Sequence, residues 1–348
     1  MRTAVAIAIM ILVGVLAALM LYILARRLVV AWVQDIERRR RERLEHVLRP
    51  WLRGETESPP PLLQRLRRWP DRGIFVDLCL QELPRTEPAL RARMIEWLEA
   101  HGYVEQWLRE LRHRKAWKRE NAAELLGIAR PERAIDPLLE TLQDDVIDVR
   151  MRAAAALGQL GGRRAREALI GALTDQNRWS TIRITDLLSG MGPEVGGELR
   201  EAYEGMGRGA RLAAIDLIAR VGSVDSGEFF STLLQDEDID IRARAAAALG
   251  RIGYRPAAAQ LLDALQDSAW PVRAMAAKSL GSLRIEAAVP LLCEALRDRE
   301  WWVRANSAAA LRALGPAGAD ALRRMLDDPD RFARDQARAT LDEMEATP

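Results

Sequence analysis

Apolar and polar positions follow two regimes along the chain. From Thr3 to Ala25 there are 23 consecutive residues without a charge, rich in Ala, Val, Ile, Leu and Met. As a helix rising about 1.5 Å per residue, the run covers roughly 34 Å, enough to cross a hydrocarbon core of about 30 Å. Further on, apolar residues recur in a fixed register instead. Markers at Arg119, Arg150, Thr181, Arg211, Arg242, Arg273, Arg304 and Arg334 are spaced by 31, 31, 30, 31, 31, 31 and 30 residues. Seven residues after each marker stand Leu126, Leu157, Leu188, Ile218, Leu249, Leu280, Leu311 and Leu341, all aliphatic. Eight residues before it come Leu111, Leu142, Leu173, Tyr203, Leu234, Leu265, Leu296 and Leu326. Each unit reads as a helix ending near a Leu-Gly pair such as Leu249-Gly250, a turn, and a second helix ending near Leu-x-Asp. Two helices per repeat of this length predict an all-α fold, an α-α superhelix preceded by a single transmembrane helix.

Polar columns keep the same period. Asp stands six residues before the marker at Asp144, Asp175, Asp236, Asp267, Asp298 and Asp328. Repetition in nearly every unit suits a structural ladder, with Asp accepting N–H groups at a helix start and Arg pairing along the stack. Alanine three residues after the marker, at Ala122, Ala153, Ala214, Ala245, Ala276 and Ala337, permits close approach of neighbouring helices. The register weakens where Thr181 replaces the marker Arg and where Gly192, Gly196, Gly197, Gly205, Gly207 and Gly209 accumulate, which predicts a looser joint. Upstream, Leu83, Arg91 and Leu98 fit the columns after a shorter step, as a degenerate unit would. The expected organisation is a transmembrane helix and flank over 1–33, a basic amphipathic neck and Pro-rich linker over 34–61, a degenerate helical repeat or cap over 62–114, and a solenoid of about eight units over 115–348.

Charge refines this division. The formal net charge of +2 is the balance of +1 over residues 1–25, +6 over 26–72 and −5 over the rest. A mildly acidic body disfavours nucleic acid, whose binding depends on clustered Lys and Arg. The arginines after the uncharged run place the following chain on the cytoplasmic side by the positive-inside rule. A cleaved signal peptide fits less well, since the run meets Arg26 and Arg27 without an A-x-A site. In the neck, Ile36, Leu44, Val47, Leu48 and Trp51 alternate with Arg38, Arg39, Arg40, Arg41 and Arg43. Such a helix can lie on anionic headgroups, or serve as a solvated extension. The expected location is a bacterial inner membrane, single-pass, with the bilayer contacted through residues 3–25, the N terminus outside and the solenoid cytoplasmic.

The unit D-x-x-x-x-V-R-x-x-A-A-x-A-L-G-x-L-G, read at Asp144 to Gly161 and with Ile for Val and for the last Leu at Asp236 to Gly253, resembles the bacterial HEAT repeat of the phycobilisome-lyase-like type. The resemblance spans Leu111 to Met344. It implies a helical solenoid and leaves an enzymatic alternative, a bilin lyase or a hydroxylase-like oxidoreductase. The deoxyhypusine hydroxylase branch holds two irons through His-Glu pairs, whereas His46, His101 and His113 are followed here by Val47, Gly102 and Arg114. Cys79 and Cys293 have no metal-ligand spacing. No catalytic, metal or cofactor residues are expected.

Tryptophan placement is more informative. Trp117, Trp179, Trp302 and Phe332 stand two residues before the marker, and Trp270 and Trp301 three before it. These positions fall at the turn leading into the first helix of each unit, so their side chains should line one edge, interleaved with Lys118, Arg178 and Arg299. Aromatic and Arg side chains together have the composition of protein-binding hot spots; packing of each Trp over its own turn is the competing account. The function expected is a non-enzymatic adaptor that binds a membrane-associated protein partner.

Overall fold

The computed structural model describes residues 2–56, 60, 71–83, 86–175, 178–222 and 224–346, with backbone alone for 2–13, 15–18, 71–72, 80 and 346. Two compact units divide the chain, Met1–Glu110 and Leu111–Pro348.

In the first unit, α1 (Arg2–Leu52) is one unbroken helix, followed by α2 (Asp71–Glu82), α3 (Pro88–Ala100) and α4 (Tyr103–Glu110). Most of the expected membrane-spanning stretch, residues 3–13 and 15–18, lies outside the described side chains. Among the described residues, no helix is long and apolar enough to cross a membrane. That finding overturns the expected single-pass placement in an inner membrane with a cytoplasmic solenoid.

The neck also departs from expectation. Leu44, Leu48, Trp51 and Leu52 are buried within the first unit, where Trp51 meets Trp97 edge-on at 6.1 Å and Phe75 meets Trp97 at 5.0 Å. These four residues of α1 thus cover α2 and α3, while Val47 on the same helix is exposed. Its arginines are partly engaged as well. Arg38 and Arg39 pair with Asp35 at 2.5 and 2.7 Å, and Arg41 Nη2 donates to Gln81 Oε1 at 2.8 Å. Arg40 and Arg43 remain exposed. Gly54, at φ +76°, follows the end of the helix at Leu52.

The second unit is a stack of helix pairs. First helices are α5 (Ala116–Ala129), α7 (Ile147–Leu160), α9 (Thr181–Ser189), α11 (Arg208–Val221), α13 (Ile239–Ile252), α15 (Trp270–Ser282), α17 (Trp301–Ala313) and α19 (Arg331–Ala346). Between them run the second helices α6 (Ile135–Thr141), α8 (Arg163–Thr174), α10 (Glu194–Ala202), α12 (Gly227–Leu233), α14 (Ala258–Ala264), α16 (Val289–Ala295) and α18 (Pro316–Met325). Every first helix except α9 begins three residues before its marker.

The sequence columns become the core. Leu126, Leu157, Leu188, Ile218, Leu249, Leu280 and Leu311 are all fully buried, as are the alanines three residues after the marker. Burying one such Leu contributes about 1.5–3 kcal/mol. The closest approach between first helices falls on the glycine of the Leu-Gly pair: a Cβ at Gly281 would lie 2.6 Å from Ala310 Cα. First helices end on a left-handed residue eleven after the marker, at Arg130, Gly161, Gly192, Gly222, Gly253, Arg284 and Gly315, whose positive φ stops the helix. At the predicted joint, α9 starts late, at Thr181 itself, and spans nine residues where its neighbours span thirteen or fourteen.

Candidate protein-binding edge

Because each repeat returns the chain to the same side, all eight first helices of the second unit start along one edge. Their first turns carry a large apolar residue that the core does not use. Trp117, Ile147, Ile182, Ile239, Trp270, Trp301, Trp302 and Phe332 are all exposed, from 39% for Trp270 to 74% for Ile182. Only α11 departs, opening on Arg208, which reaches Asp238 and Asp240 at 2.5 Å each. The row is therefore divided in two. Its longer stretch runs through α13, α15, α17 and α19, and three of these four helices present aromatics.

Five of the six aromatics singled out from sequence lie on this edge, on the first turn of the helix itself. Trp179 does not. It is 8% exposed and covers the Arg150 guanidinium at 5.7 Å from the ring centroid, which corrects its expected place among the exposed aromatics. The late start of α9 leaves Trp179 in the preceding turn, free to fold inward. Sequence reasoning in turn missed Ile147, Ile182 and Ile239. Ile147 and Ile239 share the column of Trp270 and Trp301, and Ile182 follows its marker, but an aliphatic residue near a helix start reads as core until its exposure is known.

The marker arginines explain why the edge is rigid. Arg242 Nη1 donates to the carbonyls of Asp236 and Glu237 in its own turn at 2.8 and 3.2 Å, while Nε and Nη2 grip the Asp267 carboxylate of the next unit at 2.8 and 3.1 Å. Asp267 Oδ1 also accepts from Ala269 N at 2.8 Å, just ahead of α15. Arg119–Asp144 and Arg273–Asp298 repeat the rung. The Arg119 guanidinium holds the Asp144 carboxyl below the ordinary carboxylate range. Burial pushes the Asp267 carboxyl up, and Arg242 with the Ala269 N–H more than offsets it, so that carboxyl also sits low.

On three other rungs an aromatic ring lies against the guanidinium. Arg150 lies over Trp179, Arg211 over Tyr203 at 5.2 Å and Arg304 over Phe332 at 4.7 Å. Such contacts stabilise by about 0.5–2 kcal/mol, so the ladder continues by other means. At Arg304 the reason is visible: the carboxylate of Asp328 is taken by Arg297, with Nη2 at 2.5 Å. Tyr203, buried beside Arg211, has its phenol pushed up to about 12 by that burial.

These contacts assign the Asp and Arg columns to structure. Two of the three histidines have local partners: His101 stacks on Trp97 at 3.8 Å and His113 Nδ1 accepts from Lys115 N at 3.0 Å. Among the described residues there is no group of His, Cys, Asp and Glu able to hold a metal ion.

Solved structures similar to this chain include the following three. The complex of CpcE and CpcF of phycocyanin lyase from Nostoc sp. PCC7120 is 19% identical, over 69% of this chain and 94% of that one, with a TM-score of 0.31. Human deoxyhypusine hydroxylase is 26% identical over 78% of this chain and 96% of that one, with a TM-score of 0.30. Kap121p bound to Pho4p is 12% identical over 85% of this chain and 42% of that one, with a TM-score of 0.50, a likeness of fold. No curated protein matches the sequence. The family described as HEAT repeats matches residues 104–186, 199–271 and 258–342, and the chain belongs to that family.

Proposed function

We propose that this chain is a non-enzymatic HEAT-repeat scaffold that binds a protein partner along the first-turn edge of its second unit. One observation carries the reading: the apolar residue at the start of seven of the eight first helices is exposed, while the aliphatic column seven after the marker is buried in all units but the last. Singly exposed apolar residues are ordinary on protein surfaces, but a row repeated unit after unit marks an interaction surface. The aromatic stretch from Trp270 to Phe332 supplies the anchors, since buried Trp and Arg dominate interface energetics. The Arg–Asp ladder beneath holds these anchors in place, which reduces the entropy lost on binding.

The edge is tested by placing a photoreactive phenylalanine analogue at position 302 and, as a control, at position 294 on the opposite helix layer. Illumination in cells should join one protein to position 302 and leave position 294 unlinked. Equal crosslinking at both positions, or at 294 alone, removes the edge as the binding surface.

A further inference from the structure

We infer that the second unit carries a hinge between α9 and α11, where the first helices part and close while the second helices beside them stay joined. The inference is independent of what the exposed edge binds.

The contrast is with the stretch from α13 to α17, where three kinds of contact hold neighbouring first helices together. Arg242 of α13 grips Asp267 ahead of α15, and Arg273 of α15 grips Asp298 ahead of α17. Glycine permits a close approach in both places: a Cβ at Gly250 would meet Ser279 Cα at 2.8 Å, and one at Gly281 would meet Ala310 Cα at 2.6 Å. A side chain also bonds the neighbour's backbone each time. Ser279 Oγ donates to Ala246 O at 2.7 Å, and Asn306 Nδ2 donates to Ala274 O at 3.0 Å.

Between α9 and α11 the same columns change identity together. Thr181 stands in place of the marker Arg and offers no guanidinium to the next unit. Ser189 occupies the column of Gly250 and Gly281. Ala213 and Leu217 occupy the columns of Asn306 and Ser279, and neither side chain can donate a hydrogen bond. An exposed ion pair crosses here, Arg220 Nη1 to Asp186 Oδ1 at 3.5 Å, and such surface pairs contribute little.

The geometry follows from these identities. A groove of about 420 Å³ opens between α9, α11 and α13, walled in part by Ile182, Thr185, Leu212 and Ala213. Ile182 is 74% exposed, whereas Ala243 and Ala274, its column mates in α13 and α15, are buried. On the second-helix side the two units stay joined. Tyr203, just after α10, is buried and meets Phe229 of α12 edge-on at 5.0 Å, and Arg200 Nη1 donates to Asp225 O at 2.9 Å. That contact is the pivot.

Closing the groove buries Ile182 and Leu212, while the Ser189 side chain, standing where the tight junctions have bare glycine, stops the approach short of theirs. Among the described residues, no rung or interhelix hydrogen bond fixes the separation of α9 and α11, so the two blocks move as rigid bodies about one joint. Trp117 and Ile147 lie on one side of it and the stretch from Trp270 to Phe332 on the other. The hinge therefore sets the distance between two parts of the exposed row.

Spin-labelled amino acids placed in pairs in the full chain test this. Positions 155, 247 and 339 are alanines of one column, in α7, α13 and α19, and none is buried. Each pair, 155–247 and 247–339, spans three repeat steps, but only the first crosses the α9–α11 junction. The 155–247 pair should give a distance distribution at least about twice as broad as the 247–339 pair. Ser189→Gly with Ala213→Asn restores the residues of the tight junctions and should narrow the 155–247 distribution towards the width of the other. Equal widths in the wild type mean that bending is shared along the stack and overturn the inference, and this comparison decides alone should the variant not fold. A folded variant whose 155–247 width is unchanged overturns it as well.

Discussion

Arg273 and Asp298 belong to successive repeats, and the arginine grips the carboxylate with both Nε and Nη2, at 2.7 and 3.0 Å. The same guanidinium donates through Nη1 to the carbonyls of Asp267 and Ser268, so one side chain ties its own turn to the next unit. Asp298 in turn accepts from Glu300 N at 2.9 Å and sets the start of α17. The first-turn aromatics ride on this lattice.

Loss of one partner should therefore be felt in a pH-dependent way. Burial pushes the Asp298 carboxyl up, and Arg273 and the Glu300 N–H more than offset that, leaving it below its ordinary value. A carboxyl depressed on folding contributes stability that is fully present above the unfolded pKa, about 3.9, and is lost as pH falls through the folded value. Asp298→Asn should cost roughly 1–3 kcal/mol at pH 7, because it weakens a nearly buried charged pair. In urea unfolding, the gap from wild type should narrow steadily below about pH 4. A gap that stays constant down to pH 2 contradicts the rung as described.

Two glycines in one sequence column should respond with opposite sign. A Cβ at Gly281 meets Ala310 Cα at 2.6 Å, whereas one at Gly158 meets Leu187 at an ordinary 3.6 Å, beside the shortened helix α9. Gly281→Ala should cost about 1–3 kcal/mol by overpacking. Gly158→Ala should be neutral or stabilise by up to about 1 kcal/mol, since Ala is the better helix former. Thermal melting of the two variants checks this. Equal losses at both sites contradict a local loosening at α9.

Much of the fold was legible because periodicity reports burial directly. Leu249, Leu280 and their column mates from Leu126 to Leu311 are buried where the register places them, and the Asp and Arg columns meet as rungs at Arg119–Asp144, Arg242–Asp267 and Arg273–Asp298. The site was read less completely. Trp270, Trp301 and Trp302 are exposed as expected, but Trp179 is folded inward by the late start of α9; Thr181 in the marker column flags the irregular unit without saying where its Trp turns. Ile147 and Ile239 escaped notice because an aliphatic side chain signals core by composition, and only the first-turn geometry turns it outward. In the neck, Leu48 and Trp51 announce an amphipathic helix, but amphipathicity does not name its cover; α2 and α3 of the same unit provide it.

The central claim is that the first-turn aromatics bind a protein and do not hold the solenoid together. It is tested most directly by changing Trp270, Trp301 and Trp302 to Ala in one chain, then measuring helical content, melting and retention of the protein crosslinked at position 302. These residues are 39%, 54% and 57% exposed, so folding should be nearly unaffected while retention falls at least tenfold, as loss of buried interface anchors requires. A variant that melts many degrees lower would show the tryptophans to be packing residues, and one that stays folded and keeps its partner would place the binding surface elsewhere.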